Sequence, residues 1–173
     1  STPHSWYRVR AGRPSARTTI CVPQARSLVE IALLAARLVV TVAATAFPGL
    51  MGTPDRVARM VRHGQSPRAC AGAFIQAPRG GTPMAQGLWY AAADLLARRE
   101  ERRLVMVLTD GEPDDPPEVL RLLTLCRQAE IEAVGVGIGI EVRHLFPTAI
   151  EVTEAQDLKR ELFGVAERLL VGA

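Results

Sequence analysis

Two stretches of the chain are apolar at almost every position: residues 103–108 (RLVMVL) and 131–140 (IEAVGVGIGI). An unbroken apolar run of strand length marks a strand covered on both faces, as in the middle of a parallel sheet. Around these runs the apolar spacing changes to three and four. In residues 83–100 (PMAQGLWYAAADLLARRE), Leu88, Ala92, Leu95 and Leu96 fall on one face of a predicted helix, with Pro83 at its first position and Thr82 or a neighbour as its cap. Residues 117–130 (PEVLRLLTLCRQAE) predict an amphipathic helix opening at Pro117, with Glu118 favourably placed in the first turn. Residues 154–170 (EAQDLKRELFGVAERLL) predict a closing helix that docks by Leu158, Leu162, Phe163, Val165 and Leu169.

The first half follows the same logic less evenly. Residues 1–17 have no sustained period and read as irregular. TTICV (18–22) predicts a short strand stopped by Pro23, and residues 27–38 (SLVEIALLAARL) predict a helix with Ser27 at the N-cap and Glu30 three residues on. Residues 39–47 (VVTVAATAF) are β-branched and end at Pro48–Gly49, which predicts a strand. An edge strand around 57–61, a helical turn near 71–76 and a short strand over 149–152 complete the reading. Strands alternating with long helices predict an α/β domain over residues 18–173. Its Rossmann-like, mostly parallel sheet would carry helices on both faces.

Composition narrows the class. A chain of 173 residues suits one domain with a real core. Apolar content of 48% and charged content of 23% are ordinary for a globular protein, while 5% aromatics leave the core to Ala, Leu, Val and Ile. The net charge of +3 hides an asymmetry: residues 1–103 carry fifteen arginines against five acids, and residues 104–173 carry six basic residues against thirteen acids. With few aromatics for base stacking and no recognition motif, the basic half reads as a solvated surface and no nucleic-acid partner is expected. The longest apolar stretch, residues 31–50, is broken by Arg37, Pro48 and Gly49, so no membrane span is expected. Cys21, Cys70 and Cys126 are far apart without zinc spacing. They read as small buried hydrophobes in a reduced, cytoplasmic setting. His4, His63 and His144 are scattered, and none is read as a ligand.

The chemistry concentrates in LTDGEPDDPPEV (108–119), where an apolar strand runs into Asp110, Glu112, Asp114 and Asp115. In an open α/β sheet, ligands sit at the carboxyl ends of the strands. Asp110 stands at such an end, and the loop before the Thr82 helix opens on the same edge. A hydroxyl and a carboxylate converging there are hard oxygen donors of the kind Mg²⁺, Mn²⁺ or Ca²⁺ takes. Two other readings stay open. Asp110 could cap a turn with Gly111 while the remaining acids form a solvated loop. Alternatively, Asp110, Asp114 and Asp115 could serve a metal-dependent hydrolase or phosphatase. That reading lacks a histidine near in sequence and draws its acids from one loop. The glycines of GVGIG (135–139) lie within a strand, so they read as room for neighbouring helices rather than as a nucleotide cradle.

The segments AFPG, QAPRGGTPMAQGLWYAAADLL, LTDGEPDD and GIGIEVRHLFP together resemble the von Willebrand factor type A domain. They are most similar to its bacterial branch, which includes the C-terminal domain of the aerobic cobaltochelatase subunit and the nitric-oxide-reductase activation proteins. The likeness runs from about residue 28 to 173 and is strongest over 73–147. It implies a metal-ion-dependent adhesion site built from three segments. Thr82 matches the second segment and Asp110 the third. The first, Asp-x-Ser-x-Ser, is missing: the first aspartate of the chain is Asp55, and the best placement sets Pro23, Ala25 and Ser27 at its positions. The implied site is therefore degenerate, with Ser27 its weakest member and Mg²⁺ or Mn²⁺ held weakly and not required. The implied role is a non-catalytic interaction module that couples a ring-forming AAA+ ATPase to a chelatase or metalloenzyme subunit during metal insertion or maturation.

Overall fold

Over residues 84–166 the apolar runs of the sequence become strands and the three–four patterns become helices. The computed structural model describes residues 16–22, 41–48, 57–74, 81–153 and 155–166. Its elements in order are β1 (Ala16–Val22), β2 (Thr41–Ala46), β3 (Ala58–Val61), a 3₁₀ turn (Ala71–Phe74), α1 (Met84–Leu96), β4 (Arg102–Thr109), α2 (Pro116–Gln128), β5 (Ile131–Ile138), β6 (Thr148–Val152) and α3 (Ala155–Ala166). The helix expected over residues 27–38, and with it Ser27, lies outside the described residues, as does most of the segment 1–17.

The six strands form one sheet in the order β3-β2-β1-β4-β5-β6. Neighbours are parallel throughout except at the β2–β3 edge, which is antiparallel. β4 sits inside the sheet, with Val105 opposite Thr19 of β1 on one side and Ala133 of β5 on the other. Its unbroken apolar run has a direct cause. Leu104, Met106 and Leu108 enter the core under α3, alongside Leu158, Leu162 and Val165. Val105 and Val107 enter the core on the other face, under α1 and α2. With alternate side chains pointing to opposite faces, a strand covered on both sides must be apolar at both parities.

Several expectations need correction. Helix α1 starts at Met84 with Pro83 in the capping position and no side-chain cap bond. Leu96, placed on the buried face by its spacing, is 50% exposed, since it stands at the flank of the face that Leu88, Ala91 and Leu95 bury. Helix α2 opens one residue early, at Pro116, with the Asp115 carboxylate accepting from the Glu118 N–H at 3.1 Å. In the closing helix, Leu158, Leu162 and Val165 are buried; the Phe163 side chain and Leu169 lie outside the described residues.

The glycines of β5 make room, but not for helices. A Cβ on Gly135 would stand 2.3 Å from the Phe146 ring, and one on Gly137 would stand 2.2 Å from the Ile140 carbonyl oxygen. What fills the space is the segment between β5 and β6. Phe146 plugs the groove over β5, while Val142 and Leu145 also pack into the core under α1 and α2.

Candidate functional site

At the carboxyl end of β4, the Thr109 side chain is fully buried. Its hydroxyl donates to the Gly111 carbonyl at 2.7 Å and accepts from the Gly111 N–H at 3.2 Å. The chain is thereby folded over immediately after the strand, and Asp110 is presented outward at the sheet edge, exposed. Thr109 was not singled out as a site residue in the sequence. A hydroxyl directly before Asp-Gly is the signal that would have found it, because Thr side chains close local turns of this kind.

The loop before α1 arrives at the same place. Gly81 turns the chain with φ +83°, a conformation that glycine adopts without steric cost. The Thr82 N–H then donates to the Asp114 Oδ1 at 2.7 Å, and the Asp114 N–H donates to the Thr82 carbonyl at 3.0 Å. This reciprocal pair joins the two loops. It also brings the Thr82 hydroxyl against Gly111, where a Cβ would stand 3.1 Å from Oγ1. Thr82 and the Asp110–Gly111 turn thus meet at the carboxyl edge of the sheet, on loops that the fold requires to adjoin. Ser27 is not among the described residues.

The rest of the acidic run has structural duties that the sequence left open. Asp114 holds the two loops together and Asp115 caps α2. Glu118 takes two hydrogen bonds from Arg121, at 2.7 and 2.6 Å, which hold its carboxyl below the ordinary glutamate range. Glu112 meets His144 at 3.4 Å, so the fold brings to the loop a histidine that is distant in sequence. Asp114→Ala should therefore loosen both loops at once. Loss of a charge-assisted bond at an exposed site is expected to cost about 1–2 kcal/mol, read by chemical denaturation. Asp114→Asn, which keeps an acceptor, should recover most of it.

Thr82 and Asp110 are oxygen donors and suit Mg²⁺ or Mn²⁺ in kind. They fall short in number. Among the described residues, no three His, Cys, Asp or Glu side chains gather where they could hold an ion, and two of the nearby carboxylates are committed to backbone N–H groups. Thr82 and Asp110 are thus the oxygen donors that the described part of the edge presents to an ion. A larger groove, about 630 Å³ between α2 and the segment leading into β6, lies at the opposite end of β5 and shares no residue with this edge. Burial pushes the Cys126 thiol up, as befits a small core side chain rather than a reactive one. No described helix is long and apolar enough to cross a membrane.

Comparison with known proteins agrees with this architecture. The pilus adhesin SpaC of Lactobacillus rhamnosus GG superposes with a TM-score of 0.77 at 14% identity, over 93% of this chain and 31% of that one. The mussel byssus proximal thread matrix protein 1, in a form whose metal-ion-dependent adhesion site holds zinc, superposes with a TM-score of 0.67 at 14% identity, over 87% and 45%. The manganese-loaded TRAP protein of Plasmodium vivax does so with a TM-score of 0.60 at 13% identity, over 86% and 71%. The chain thus spans less than half the length of the adhesin and the byssus protein. The family model described as von Willebrand factor type A domain matches residues 64–161, a span that holds β4, β5, β6, Thr82 and Asp110. With this sheet order, these two adjoining loops and a model match over more than half its length, the chain belongs to the von Willebrand factor type A domain family, whose members are typically protein-interaction modules.

Proposed function

We propose that this domain is a non-catalytic interaction module with a degenerate metal-ion-dependent adhesion site, one that couples a ring-forming AAA+ ATPase to a chelatase or metalloenzyme subunit in the cytoplasm. The observation that carries the reading is the composition of the carboxyl edge. The Thr82 hydroxyl stands against Gly111, next to the exposed Asp110, on two loops joined by Asp114. Such an edge offers a rigid surface to a partner. A metal-dependent hydrolase would need several converging carboxylates with a base, and among the described residues no three His, Cys, Asp or Glu side chains gather at one point. The hydrolase alternative called on Asp114 and Asp115 as well, and both are hydrogen-bonded into the loop framework. The likeness of GGTP, TDGEPDD and GIGIEVRHLFP to the cobaltochelatase branch supports the choice of partner.

Thr82 and Asp110, joined by Ser27 if the segment before β2 delivers it, would be the residues that touch Mg²⁺ or Mn²⁺. The ion would offer a partner's acidic side chain a positive contact. With so few protein oxygens, dissociation constants are expected to be millimolar or weaker, which is about 4 kcal/mol of binding at most. Calorimetric titration of the 173-residue chain checks this. A stoichiometric micromolar site lost in Asp110→Ala would show that another group replaces the missing aspartate. The functional reading is tested by capture of AAA+ ATPases encoded beside this gene on the immobilised chain. Retention that persists in EDTA is the expected outcome. Turnover of phosphate esters by the isolated chain, abolished by Asp110→Ala, would replace the module with an enzyme.

A further inference from the structure

Part of the arginine excess of residues 1–103 gathers at one edge of the sheet, where the strand order places β3. On the β3 side, a cleft of about 40 Å³ opens between the edge strand and the second half of α1. Arg59, Arg62 and Arg98 line it, with Tyr90, Asp94 and His63.

Two of these arginines are held in place. The Arg59 guanidinium lies over the Tyr90 ring, 5.3 Å from its centroid, and its Nε donates to the Tyr90 hydroxyl. Arg98 donates to Asp94 at 3.0 Å, and the buried His63 side chain meets the other oxygen of the same carboxylate at 3.0 Å. Asp94, the one acid in the cleft, is therefore already engaged from two sides. Three guanidinium groups face it, and Arg59 and Arg62 are exposed. Ordinary surface arginines pay rotamer entropy to bind; an arginine stacked on an aromatic ring or tied to a carboxylate has already lost that freedom. Planar guanidinium forks match carboxylates in pairs of parallel hydrogen bonds. Tyr90, the phenol ring lining the cleft, already carries the Arg59 guanidinium, which favours a carboxylate over a stacked nucleobase.

We infer that the cleft between β3 and α1 binds the acidic side chain of a partner protein segment, through Arg59, Arg62 and Arg98. The site stands apart from the carboxyl edge. It needs no metal, and its own arginines steer the segment toward it.

The test uses the 173-residue chain and a fluorescein-labelled hexaglutamate peptide, followed by anisotropy at about 0.15 M salt, where the Debye length is about 8 Å. The double substitution Arg59→Gln with Arg62→Gln should weaken binding by roughly tenfold or more, because paired charge-assisted bonds are lost. Arg68→Gln with Arg99→Gln removes the same charge from the same half of the chain at exposed positions outside the cleft. That pair should change binding by less than about twofold, as screened, distant charges do. Equal losses in the two pairs would mean a diffuse field without a site and would overturn the inference. So would tighter binding of an oligothymidylate than of the peptide, displacement of the peptide by micromolar inorganic phosphate, or self-association of the chain that disappears in the cleft variant. Should the glutamine pair unfold, Arg59→Lys with Arg62→Lys keeps the charge and removes the fork. An intermediate loss in that variant supports the inference, and an unchanged affinity overturns it.

Discussion

A chain ending at Thr153 should unfold at a far lower urea concentration than the 173-residue chain and sit near the limit of stability. Leu158 and Leu162 are each 1% exposed and Val165 is 5% exposed. All three close the core over Leu104, Met106, Leu108, Val134 and Val136 on one face of the sheet. Full burial of each such side chain is worth roughly 1.5–3 kcal/mol. Allowing for apolar surface that the unfolded chain also buries, the loss is still about 4–6 kcal/mol. A domain of ordinary size has about 5–15 kcal/mol in all. The same truncation uncovers the middle of the sheet, so the shortened chain should also bind a hydrophobic dye. An unchanged melting temperature would show that α3 is an appendage rather than a wall of the core.

Gly135→Ala is the single substitution expected to do most damage for its size. The added methyl would stand 2.3 Å from Cδ2, 2.5 Å from Cγ and 2.9 Å from Cβ of Phe146, whose side chain is 2% exposed. Carbon atoms cannot stand that close, so the Phe146 ring must shift, and residues 140–147 with it if the ring cannot turn toward the groove beside α2. Overpacking of this kind costs about 1–3 kcal/mol, with the upper end expected here. Phe146→Ala, which empties the same place, should cost about 3–5 kcal/mol. The informative measurement is the double variant by urea denaturation. Since the alanine methyl enters space vacated by the ring, the pair should lose less than the two single losses combined, by about 1 kcal/mol or more. Additive losses would mean that Gly135 and Phe146 do not share the space, and that β5 carries its glycines for another reason.

The elements themselves were legible because short-range physics decides them. The parity-blind apolar run of β4, the β-branched β2 closed by Pro48 and the spacing of Leu158, Leu162 and Val165 each report local geometry plus burial, and both are written along the chain. The convergence of two loops on one edge was also legible. Parallel strands joined by helices put every such loop on the same side. Leu96 misled because it stands at the flank of the face centred on Leu88, Ala91 and Leu95, where the small Ala92 is covered and a leucine is not.

What the chain by itself determined, then, is the α/β alternation, the two-faced burial of its central strands and the placing of Thr82 and Asp110 on loops of a common edge. Only the tertiary structure decided how the acidic run divides. Asp110 is presented at the sheet edge, and Asp114 is given to the Thr82 N–H. Four nearby carboxylates look alike in a sequence. Which of them meets the Thr82 N–H depends on a loop thirty-two positions away. The same holds for the glycines of β5, whose missing side chains are filled by Phe146 and Ile140 from the next connection, and for the arginines gathered beside Tyr90. Periodicity reports what a residue's own element requires. Contacts between elements depend on where the sheet order sets them side by side.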